Sequence, residues 1–267
     1  MELNLKEKVA IVTGGSKGIG KSIAKSLAIE GANVIICARG KESLCAAEKE
    51  IADAGGHVFA ISVDAANPES VQNVIDKTID RYGKLDVLIN NIGGVNKFGG
   101  FFELKPEDWK LAFDLNVMTM VYFVERAYPW LCRSVAPRII NISSISGLQP
   151  GSYNPHYTIT KAAVINLSKC LSNLFMKDKI LVNVVCPGPV HSDSWDKNVQ
   201  HIAKLKDISL EAAKISIDIE ESAKIPIGRI GEGDDIAGLV AFLVSDKASW
   251  ITGSCFHING GKLHTIS

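Results

Sequence analysis

The 267-residue sequence has no excess of charge of either sign. Lys and Arg together number 29, as do Asp and Glu, so the formal net charge at pH 7 is zero. Proteins that bind nucleic acids or anionic membrane surfaces usually carry a cationic excess that neutralises phosphates, and this chain has none. We therefore expect neither a nucleic acid nor a membrane as a partner.

The chain also lacks a hydrophobic run of the roughly 18 residues that a membrane helix needs. Its N-terminal stretch from Met1 to Lys8 is polar and charged, unlike a signal peptide. The six cysteines are scattered without a Cys-x-x-Cys pair, which is typical of buried free thiols. The six histidines show neither HxxxH nor HxH spacing, so no metal site is predicted. These absences predict a cytoplasmic protein.

What the sequence does have is an alternation of short β-branched runs and longer helical patterns, which indicates βαβ units and a parallel sheet. Near-continuous hydrophobicity in the runs fits strands that helices cover on both faces. No repeat, low-complexity tract or Pro-rich linker divides the chain, so we predict one doubly wound Rossmann domain over residues 1–267. The seven predicted strands are Val9–Thr13, Asn33–Cys37, His57–Val63, Val87–Asn90, Arg138–Ile142, Leu181–Val185 and Cys255–Ile258.

The segment 191–224 differs from the rest of the chain. It follows the turn Pro187-Gly188-Pro189, carries mixed charges and contains an amphipathic stretch near Ile202 to Ile219. A connection of this length is usually functional or flexible. We predict that it forms a lid over the site, with a surface helical excursion as the alternative.

A glycine-rich turn follows the first strand directly, and a helical pattern from Lys21 to Glu30 comes after it. Glycines allow a tight turn and close backbone approach, and a helix N-terminus offers unpaired N–H groups to a pyrophosphate. The spacing is TGxxxGxG rather than the GxGxxG fingerprint. The sequence therefore predicts a dinucleotide site, whose contacts in this turn are Gly14, Ser16, Lys17, Gly18, Ile19 and Gly20.

The second predicted strand leads to Arg39, and no carboxylate stands at its end. An acidic residue there would bind a ribose hydroxyl and repel a 2′-phosphate, whereas arginine accepts the phosphate. Lys17 in the glycine-rich turn is placed to supply a second cation. These two charges favour NADP(H) over NAD(H), and the alternative is that both are solvated surface charges.

Two further contacts to the dinucleotide follow the third and fourth strands. Asp64 is placed to accept a hydrogen bond from the adenine amine, and a helix cap is its competing role. The segment Asn90-Asn91-Ile92-Gly93 closes the fourth strand where a ligand must cross the sheet edge. We expect Asn91 and Gly93 to contact the cofactor, with bracing of the backbone as the alternative role for these side chains.

Tyr157 and Lys161 are four residues apart at the start of an apolar-periodic segment, so a helix would put them on one face. A tyrosine with an unperturbed pKa of about 10 is a poor acid-base group at neutral pH, and an adjacent ammonium lowers that pKa by stabilising the phenolate. The pair predicts a proton relay. YxxxK alone is a weak signal, because this spacing arises often by chance.

Ser144 strengthens the interpretation of the tyrosine–lysine pair. It lies 13 residues before Tyr157, just after the fifth strand, where its hydroxyl is placed to stabilise charge on a substrate oxygen. Ser143 and Ser146 are nearby competitors for this role.

Asn116 lies within the helical stretch Trp109 to Tyr128, and an Asn inside a helix needs a local explanation. We expect it to hold a water molecule that links Lys161 to solvent. His156, beside Tyr157, is assigned either to the pocket lining or to the surface.

Together these motifs closely resemble the short-chain dehydrogenase/reductase family over nearly the whole chain, and their occurrence in the right order is far more specific than any one motif. The matching segments are Thr13-Gly14-Gly15-Ser16-Lys17-Gly18-Ile19-Gly20, Asp64, Asn90-Asn91-Ile92-Gly93, Asn116, Ser144, Tyr157, Lys161, Pro187-Gly188-Pro189-Val190, Ile225–Arg229, Ile251–Gly253 and Asn259-Gly260-Gly261.

The resemblance implies a parallel sheet of order 3-2-1-4-5-6-7, a cofactor at its carboxyl edge and usually a homotetramer, with a homodimer as the alternative. It implies that Lys161 also binds the nicotinamide ribose. Two departures from the family pattern are Ile92, where alanine is common, and Ser192, where threonine is common. The implied catalytic tetrad is Asn116, Ser144, Tyr157 and Lys161, and the implied contacts at the nicotinamide end are Tyr157, Lys161, Pro187, Gly188, Val190 and Ser192.

Many members of the family are 3-oxoacyl-(acyl-carrier-protein) reductases, which bind an acidic carrier through basic surface residues beside the site. Aligned without gaps, this chain has Val135 and Asp178 at two such positions, although Arg133, Lys177 and Lys179 lie close by in the sequence. We therefore predict an NADP(H)-dependent oxidoreductase of a small or medium free ketone, sterol or sugar-like alcohol. Carrier-linked reduction is the alternative, and a non-catalytic NADP(H)-binding protein, which should lack a tetrad residue, is the remote one.

Overall fold

The structure is a computed structural model that describes residues 2–265. Its strands form a single parallel sheet in the order β3-β2-β1-β4-β5-β6-β7, which confirms the predicted order. The predicted strands are present within one or two residues at their ends. Their bounds are β1 Val9–Thr13, β2 Asn33–Ala38, β3 His57–Ser62, β4 Val87–Asn90, β5 Arg138–Ile142, β6 Leu181–Pro187 and β7 Cys255–Ile258.

Helices cover both faces of the sheet, as the nearly continuous hydrophobicity of the strands predicts. One face packs against α1, α2 and α9, and the other against α3, α5 and α6. The helices are α1 Gly18–Ile29, α2 Lys41–Asp53, α3 Pro68–Tyr82, α4 Pro106–Phe113, α5 Thr119–Leu131, α6 Pro155–Leu174, α7 Asp193–Lys206, α8 Leu210–Ser222 and α9 Gly233–Val244.

Strand β1 shows how alternate residues serve the two faces. Ala10 and Val12 are buried in the core beneath α1 and α9, while Val9 and Ile11 are buried in the core beneath α3 and α5. Side chains along a strand alternate between faces, so a strand covered on both sides needs apolar residues throughout. Each fully buried Val or Ile stabilises the fold by about 1.5–3 kcal/mol. The sheet is therefore a rigid base for the loops at its carboxyl edge.

The helical stretch predicted around Asn116 is interrupted. Between α4 and α5 the backbone forms one wide π-helical turn, Asp114–Met118, in which the N–H of Thr119 donates to the carbonyl of Asp114 five residues back. Such bulges insert one residue into a helix and turn its side chain out of the regular pattern. The 3.6-residue periodicity of the sequence does not reveal this insertion.

The segment predicted as a lid consists of two helices, α7 and α8. Asp207 between them adopts a left-handed conformation with φ 51°, and the hydroxyl of Ser209 caps the start of α8. The amphipathic stretch from Ile202 to Ile219 therefore spans a break and is not one helix. The two helices share a small core of their own, made of Trp195, Val199, Ala203, Ala213, Ile217, Ile225 and Ile230.

Within residues 2–265, no helix combines the length and apolarity required to cross a membrane. The same part of the chain contains no group of three or more His, Cys, Asp or Glu side chains arranged to hold a metal ion. All six cysteines are free.

Candidate active site

The loops that carry the predicted site residues meet at one edge of the sheet. The glycine-rich turn follows β1, Asn91 follows β4, Ser144 follows β5, and the Pro187-Gly188 turn ends β6. Parallel strands place all their carboxyl ends at the same edge, where ligands bind in doubly wound folds. The topology thus brings together residues that are far apart in the sequence.

Thr13 at the end of β1 ties the glycine-rich turn to the loop after β4. Its Oγ1 accepts hydrogen bonds from the backbone N–H groups of Asn91 at 2.9 Å and Ile92 at 3.1 Å. Gly14 follows with φ 66°, a conformation that strongly favours glycine. These contacts hold the turn in place.

Asn91 braces this turn through its side chain. Its Nδ2 donates to the carbonyls of Thr13 at 2.9 Å and Gly14 at 3.4 Å. A Cβ at Gly20 would lie 2.4 Å from the same Nδ2, so glycine is needed there for the close approach. The structure thus shows the bracing role for Asn91, while its predicted contact with the cofactor stays a prediction.

The N-terminus of α1 is suited to a pyrophosphate. The N–H groups of Gly18, Ile19 and Gly20 bond to no other residue in the described range, and no side chain there caps the helix. A Cβ on Gly18 would come within 3.1 Å of the Cβ of Ser192, so the glycine keeps the space between α1 and α7 open. Free N–H groups, a bare backbone and the helix dipole fit a bound phosphate group.

The three polar side chains predicted around the adenosine end differ in their contacts. Arg39 is exposed just after β2, and its guanidinium makes no hydrogen bond or ion pair within residues 2–265. Lys17 instead pairs with Asp193 on α7 at 3.2 Å, and it would have to leave this partner to reach a phosphate. Asp64 is exposed and accepts from the N–H of Ala66, while Asn67 provides the cap of α3. Asp64 is therefore not the helix cap.

Asn116 lies in the π-helical turn and is buried. Its Nδ2 donates to the carbonyl of Ala112, just before the wide turn, at 2.9 Å. The same Nδ2 donates to the carbonyl of Gly94 at 3.1 Å. Its Oδ1 accepts from the N–H of Gly94 at 2.8 Å. The side chain therefore fixes the loop after β4 against α4, and the π-helical turn directs it into the site.

Lys161 projects from α6 into the same region and is buried. Its Nζ donates to the carbonyl of Ile142 at the end of β5, at 3.0 Å. Burial lowers the pKa of this ammonium to about 8, because water no longer solvates the charge fully. A Cβ at Gly93 would lie 2.9 Å from this Nζ and 2.7 Å from Oδ1 of Asn116, so all three residues converge on one point.

Tyr157 lies one helical turn before Lys161 on α6, with the Lys161 Nζ 5.8 Å from the centre of the phenol ring. Burial raises the pKa of Tyr157 to about 12, and a hydrogen bond with Ser144 opposes this rise. The sequence predicts the opposite direction from the neighbouring ammonium. Desolvation by the surrounding protein is the largest cause, so the tyrosine is protonated at neutral pH.

The two adjacent serines after β5 have different roles. Ser143 is buried and its hydroxyl donates to the carbonyl of Lys161 at 2.7 Å, so it joins β5 to α6. Ser144 is the partner of Tyr157, and its Oγ also accepts from the N–H of Ser146 at 3.1 Å. This geometry supports Ser144 over both competitors. Gly147 completes the turn, because a Cβ there would meet the Lys161 backbone at 2.6 Å.

The loop after β6 is held in place by contacts with two other segments of the chain. A Cβ at Gly188 would lie 2.8 Å from the Cα of Asn259, and Val190 forms a parallel bridge with Gly231. The hydroxyl of Ser192 then caps α7 by accepting from the N–H of Trp195 at 3.3 Å. The residues predicted to meet the nicotinamide therefore form a fixed wall after β6.

An aromatic contact joins α7 to the loops after β4 and β5, and the sequence motifs do not reveal it. The ring of His201 stacks on Phe98 with 4.7 Å between centroids, and its Nε2 lies 2.9 Å from the hydroxyl of Tyr153. Phe98 follows β4 and Tyr153 follows β5, so one lid side chain contacts both loops. These contacts support the lid prediction for 191–224.

His156 is buried, so the surface alternative for this residue is wrong. Its ring lies 6.2 Å from Trp109 of α4 in an edge arrangement, and burial lowers its pKa. Because α6 turns by about 100° per residue, His156 faces α4 while Tyr157 faces the sheet edge. Its position indicates a packing role between α4 and α6.

The assembled groups can bind a phosphate-bearing dinucleotide, hold a substrate oxygen between two hydroxyls and supply a proton. Ser144 and Tyr157 provide the hydroxyls, and Lys161 and Asn116 lie together next to Gly93. Such a set serves proton exchange at a carbonyl or alcohol oxygen.

Comparisons with known proteins agree with this geometry. A family model described as enoyl-(acyl carrier protein) reductase matches residues 14–262. The chain is 36% identical to the 3-oxoacyl-[acyl-carrier-protein] reductase FabG of Staphylococcus aureus over 257 residues, which covers 95% of this chain and 97% of the relative.

Two solved structures share the fold over nearly the whole chain. L-sorbose reductase from Gluconobacter frateurii, complexed with NADPH and L-sorbose, has a TM-score of 0.91 at 32% identity, with 100% of both chains covered. Actinorhodin polyketide ketoreductase with NADPH has a TM-score of 0.89 at 30% identity, covering 97% of this chain and 98% of that one.

Proposed function

Since the chain belongs to the short-chain dehydrogenase/reductase family, it is an NADP(H)-dependent oxidoreductase of carbonyl and alcohol groups, and we propose that Tyr157 exchanges the proton with the substrate oxygen. The observation that carries this proposal is the pairing of Tyr157 with Ser144 beside Lys161, whose Nζ lies 5.8 Å from the centre of the phenol ring. Asn116 adjoins the same Nζ at Gly93. Bound NADPH supplies the hydride in reduction, and NADP⁺ accepts it in oxidation.

The protonation state of Tyr157 suits it for reduction. With a pKa raised to about 12 by burial, the phenol carries its proton at neutral pH and can donate it to the oxygen as negative charge develops there. Ser144 donates a second hydrogen bond to that oxygen and stabilises the same charge. In the reverse reaction Tyr157 must first lose its proton, and the buried ammonium of Lys161 favours that phenolate.

Lys161 and Asn116 form the path by which the proton is replaced. Lys161, whose pKa burial lowers to about 8, releases and regains a proton near neutral pH more readily than an exposed lysine does. Asn116 orders the loop at Gly94 through two hydrogen bonds. We propose that a water molecule held beside this amide connects Lys161 to solvent.

A dinucleotide would bind at the carboxyl edge of the sheet. The free N–H groups at the start of α1 would hold its pyrophosphate, and Arg39, whose guanidinium is unpaired within residues 2–265, would hold the 2′-phosphate. Lys17 would contribute only after it leaves Asp193. Asp64 would contact the adenine, and Val190 and Ser192 the nicotinamide carboxamide.

We propose that the substrate is a small or medium free ketone, or the corresponding alcohol, including sugar-like compounds. The contacts of His201 on α7 with Phe98 and Tyr153, in the loops after β4 and β5, support a substrate of this size under the proposed lid. A relative that shares the fold over its full length, L-sorbose reductase from Gluconobacter frateurii, was solved with L-sorbose.

Reduction of a 3-oxoacyl group on a carrier protein is the second candidate, favoured by the FabG relatives. The basic residues that bear on it, Arg133, Lys177 and Lys179, precede β5 and β6 and lie at the amino edge of the sheet. The catalytic groups are at the opposite edge. Within one subunit these residues therefore do not lie beside the site, and a carrier bound to them would have to serve the site of another subunit.

We also propose a homotetramer in the cytoplasm. Exposed apolar side chains on α4 and at the end of α6, among them Leu111, Phe113, Leu174 and Met176, offer surface for association. Six free cysteines suit a reducing compartment.

A panel of substrates with NADPH and NADH tests the proposal, followed at the nicotinamide absorbance. Ketoses, small ketones and a 3-oxoacyl carrier protein are compared with native protein and Tyr157→Phe. We expect NADPH oxidation with a free ketone, and a loss of kcat of about 10²–10⁴-fold in the variant. NADPH binding, followed by fluorescence, should persist in the variant. Undiminished turnover by Tyr157→Phe would refute the mechanism, and preference for the carrier-linked substrate would favour the second candidate.

A further inference from the structure

Two cysteines behind the candidate catalytic residues are in direct sulfur contact. The Sγ atoms of Cys186 on β6 and Cys255 on β7 lie 3.4 Å apart. Strand pairing sets Val184 opposite Cys255 and Cys186 opposite His257, so the two cysteines are diagonal neighbours on one face of the sheet. Their contact follows from the register of two paired strands and not from a loop.

Cys186 also touches the residues that hold the catalytic tyrosine. Its side chain interacts with the hydroxyl of Ser143 and the backbone N–H of Ser144. It is the last residue before the Pro187-Gly188 turn, which forms part of the nicotinamide wall. A change in the position of this sulfur therefore displaces both Ser144 and the Pro187-Gly188 turn.

The pair is chemically asymmetric. A hydrogen bond from the Cys186 thiol and the neighbouring His257 lower the pKa of Cys255, while the same contact and burial raise the pKa of Cys186. Cys255 is partly exposed, whereas Cys186 is buried. A thiolate that solvent can reach, next to a protonated thiol, is the arrangement of an attacking and a resolving cysteine.

We propose that Cys186 and Cys255 form a reversible, peroxide-sensitive disulfide that switches the enzyme off. Hydrogen peroxide first oxidises the Cys255 thiolate: one O–O bond breaks, the sulfur gains an oxygen as sulfenic acid, and hydroxide leaves. The Cys186 sulfur then attacks the Cys255 sulfur, the S–O bond breaks, and the thiol proton leaves with the hydroxyl group as water. A small dithiol reverses the change by thiol–disulfide exchange.

Loss of activity follows from geometry. A disulfide requires an S–S separation of about 2.05 Å, so the sulfurs must close from 3.4 Å. Diagonal neighbours on adjacent strands have Cα atoms about 7–8 Å apart, more than a relaxed disulfide spans, so closure must shift the backbone where β6 and β7 pair. This shift draws the Cys186 side chain away from Ser143 and Ser144. The hydroxyl that pairs with Tyr157 is then displaced, and misplacement of reacting groups lowers kcat.

Peroxide treatment of fully reduced protein tests this proposal. We expect native protein to lose two hydrogens in mass, to yield a linked peptide containing Cys186 and Cys255 after non-reducing digestion, and to lose NADPH-dependent activity in proportion to that link. Dithiothreitol should restore both mass and activity. The peptide map uses native protein only, so it is independent of the substrate and of the folding of any variant.

Two variants complete the test. Cys255→Ser should neither form the link nor lose activity with the time course of the native protein. Cys45→Ser removes an exposed cysteine on α2 and should behave as native protein does. Absence of the Cys186–Cys255 peptide from oxidised native protein would overturn the proposed bond. Full activity of the linked protein, or equal inactivation of Cys255→Ser, would overturn the switch.

Discussion

Gly93 is the point at which the catalytic groups can be disturbed without removing any of them. Its backbone is not in the left-handed region, so alanine can adopt the same conformation. The added Cβ would nevertheless lie 2.7 Å from Oδ1 of Asn116 and 2.9 Å from Nζ of Lys161, where ordinary contacts begin at 3.4 Å. Both polar atoms must therefore retreat by roughly half an ångström or more.

The expected cost of Gly93→Ala is larger for activity than for stability. Overpacking of this kind lowers the free energy of unfolding by about 1–3 kcal/mol. A displacement approaching 1 Å in reacting groups lowers kcat by up to about 10²-fold. The hydrogen bonds between Asn116 and Gly94, at 2.8 and 3.1 Å, make the loop stiff and prevent it from absorbing the methyl group by itself.

Steady-state kinetics with NADPH and denaturant unfolding of the same samples measure the two effects. Gly238→Ala is the matched control, because nothing lies within 4 Å of a Cβ at this exposed position in α9. Alanine there should stabilise the helix by about 0.5–1 kcal/mol and leave kcat unchanged. A Gly93→Ala enzyme with native kcat would refute the convergence of Asn116 and Lys161 as the basis of activity.

Three further predictions concern single side chains. Arg39→Ala should raise the KM for NADPH about 10- to 100-fold and leave that for NADH unchanged, because a charged hydrogen bond contributes about 1.5–3 kcal/mol; equal effects on both cofactors would contradict its contact with the 2′-phosphate. Ser144→Ala should lower kcat about 10²–10³-fold, whereas Ser143→Ala should mainly lower thermal stability, and the reverse pattern in kinetics and melting would exchange their roles. For Lys161 the folded-state pKa of about 8 lies below its ordinary value of 10.5, so the folded protein binds fewer protons between these pH values and its stability rises with pH there. Lys161→Met should remove this rise, about 3 kcal/mol across the window, in unfolding titrations without cofactor, and an unchanged pH slope would contradict the burial of the amine.

The strands could be predicted from the sequence because they depend on local patterns, whereas the order of the sheet was implied by the family resemblance. β1 and β5 are each five consecutive buried residues. A short run of this kind between helical segments is typical of a parallel strand that helices cover on both faces. Because parallel strands all end at the same edge of the sheet, the residues that follow each strand lie together at that edge. This is why Ser144, Asn91 and the glycine-rich turn meet where the motifs indicate.

What the sequence could not reveal depends on contacts across the fold. Lys17 pairs with Asp193, 176 residues away, and no local pattern indicates that partner. The π-helical turn at Asn116 differs from a regular helix by one inserted residue, which periodicity over a short window does not resolve. The direction of the Tyr157 pKa shift is set by the amount of surrounding protein, which is known only once the chain is folded.

The small core under α7 and α8 makes this part of the chain an exchangeable module. Its apolar residues, from Trp195 to Ile230, form a cluster separate from the two clusters that pack on the sheet. Substitutions on the outer face of these helices can therefore change the proposed lid without disturbing the cores that pack on the sheet. Residues 193–230, which contain the whole of this small core, are the segment to exchange between family members when a new substrate is wanted and the chemistry is to be kept.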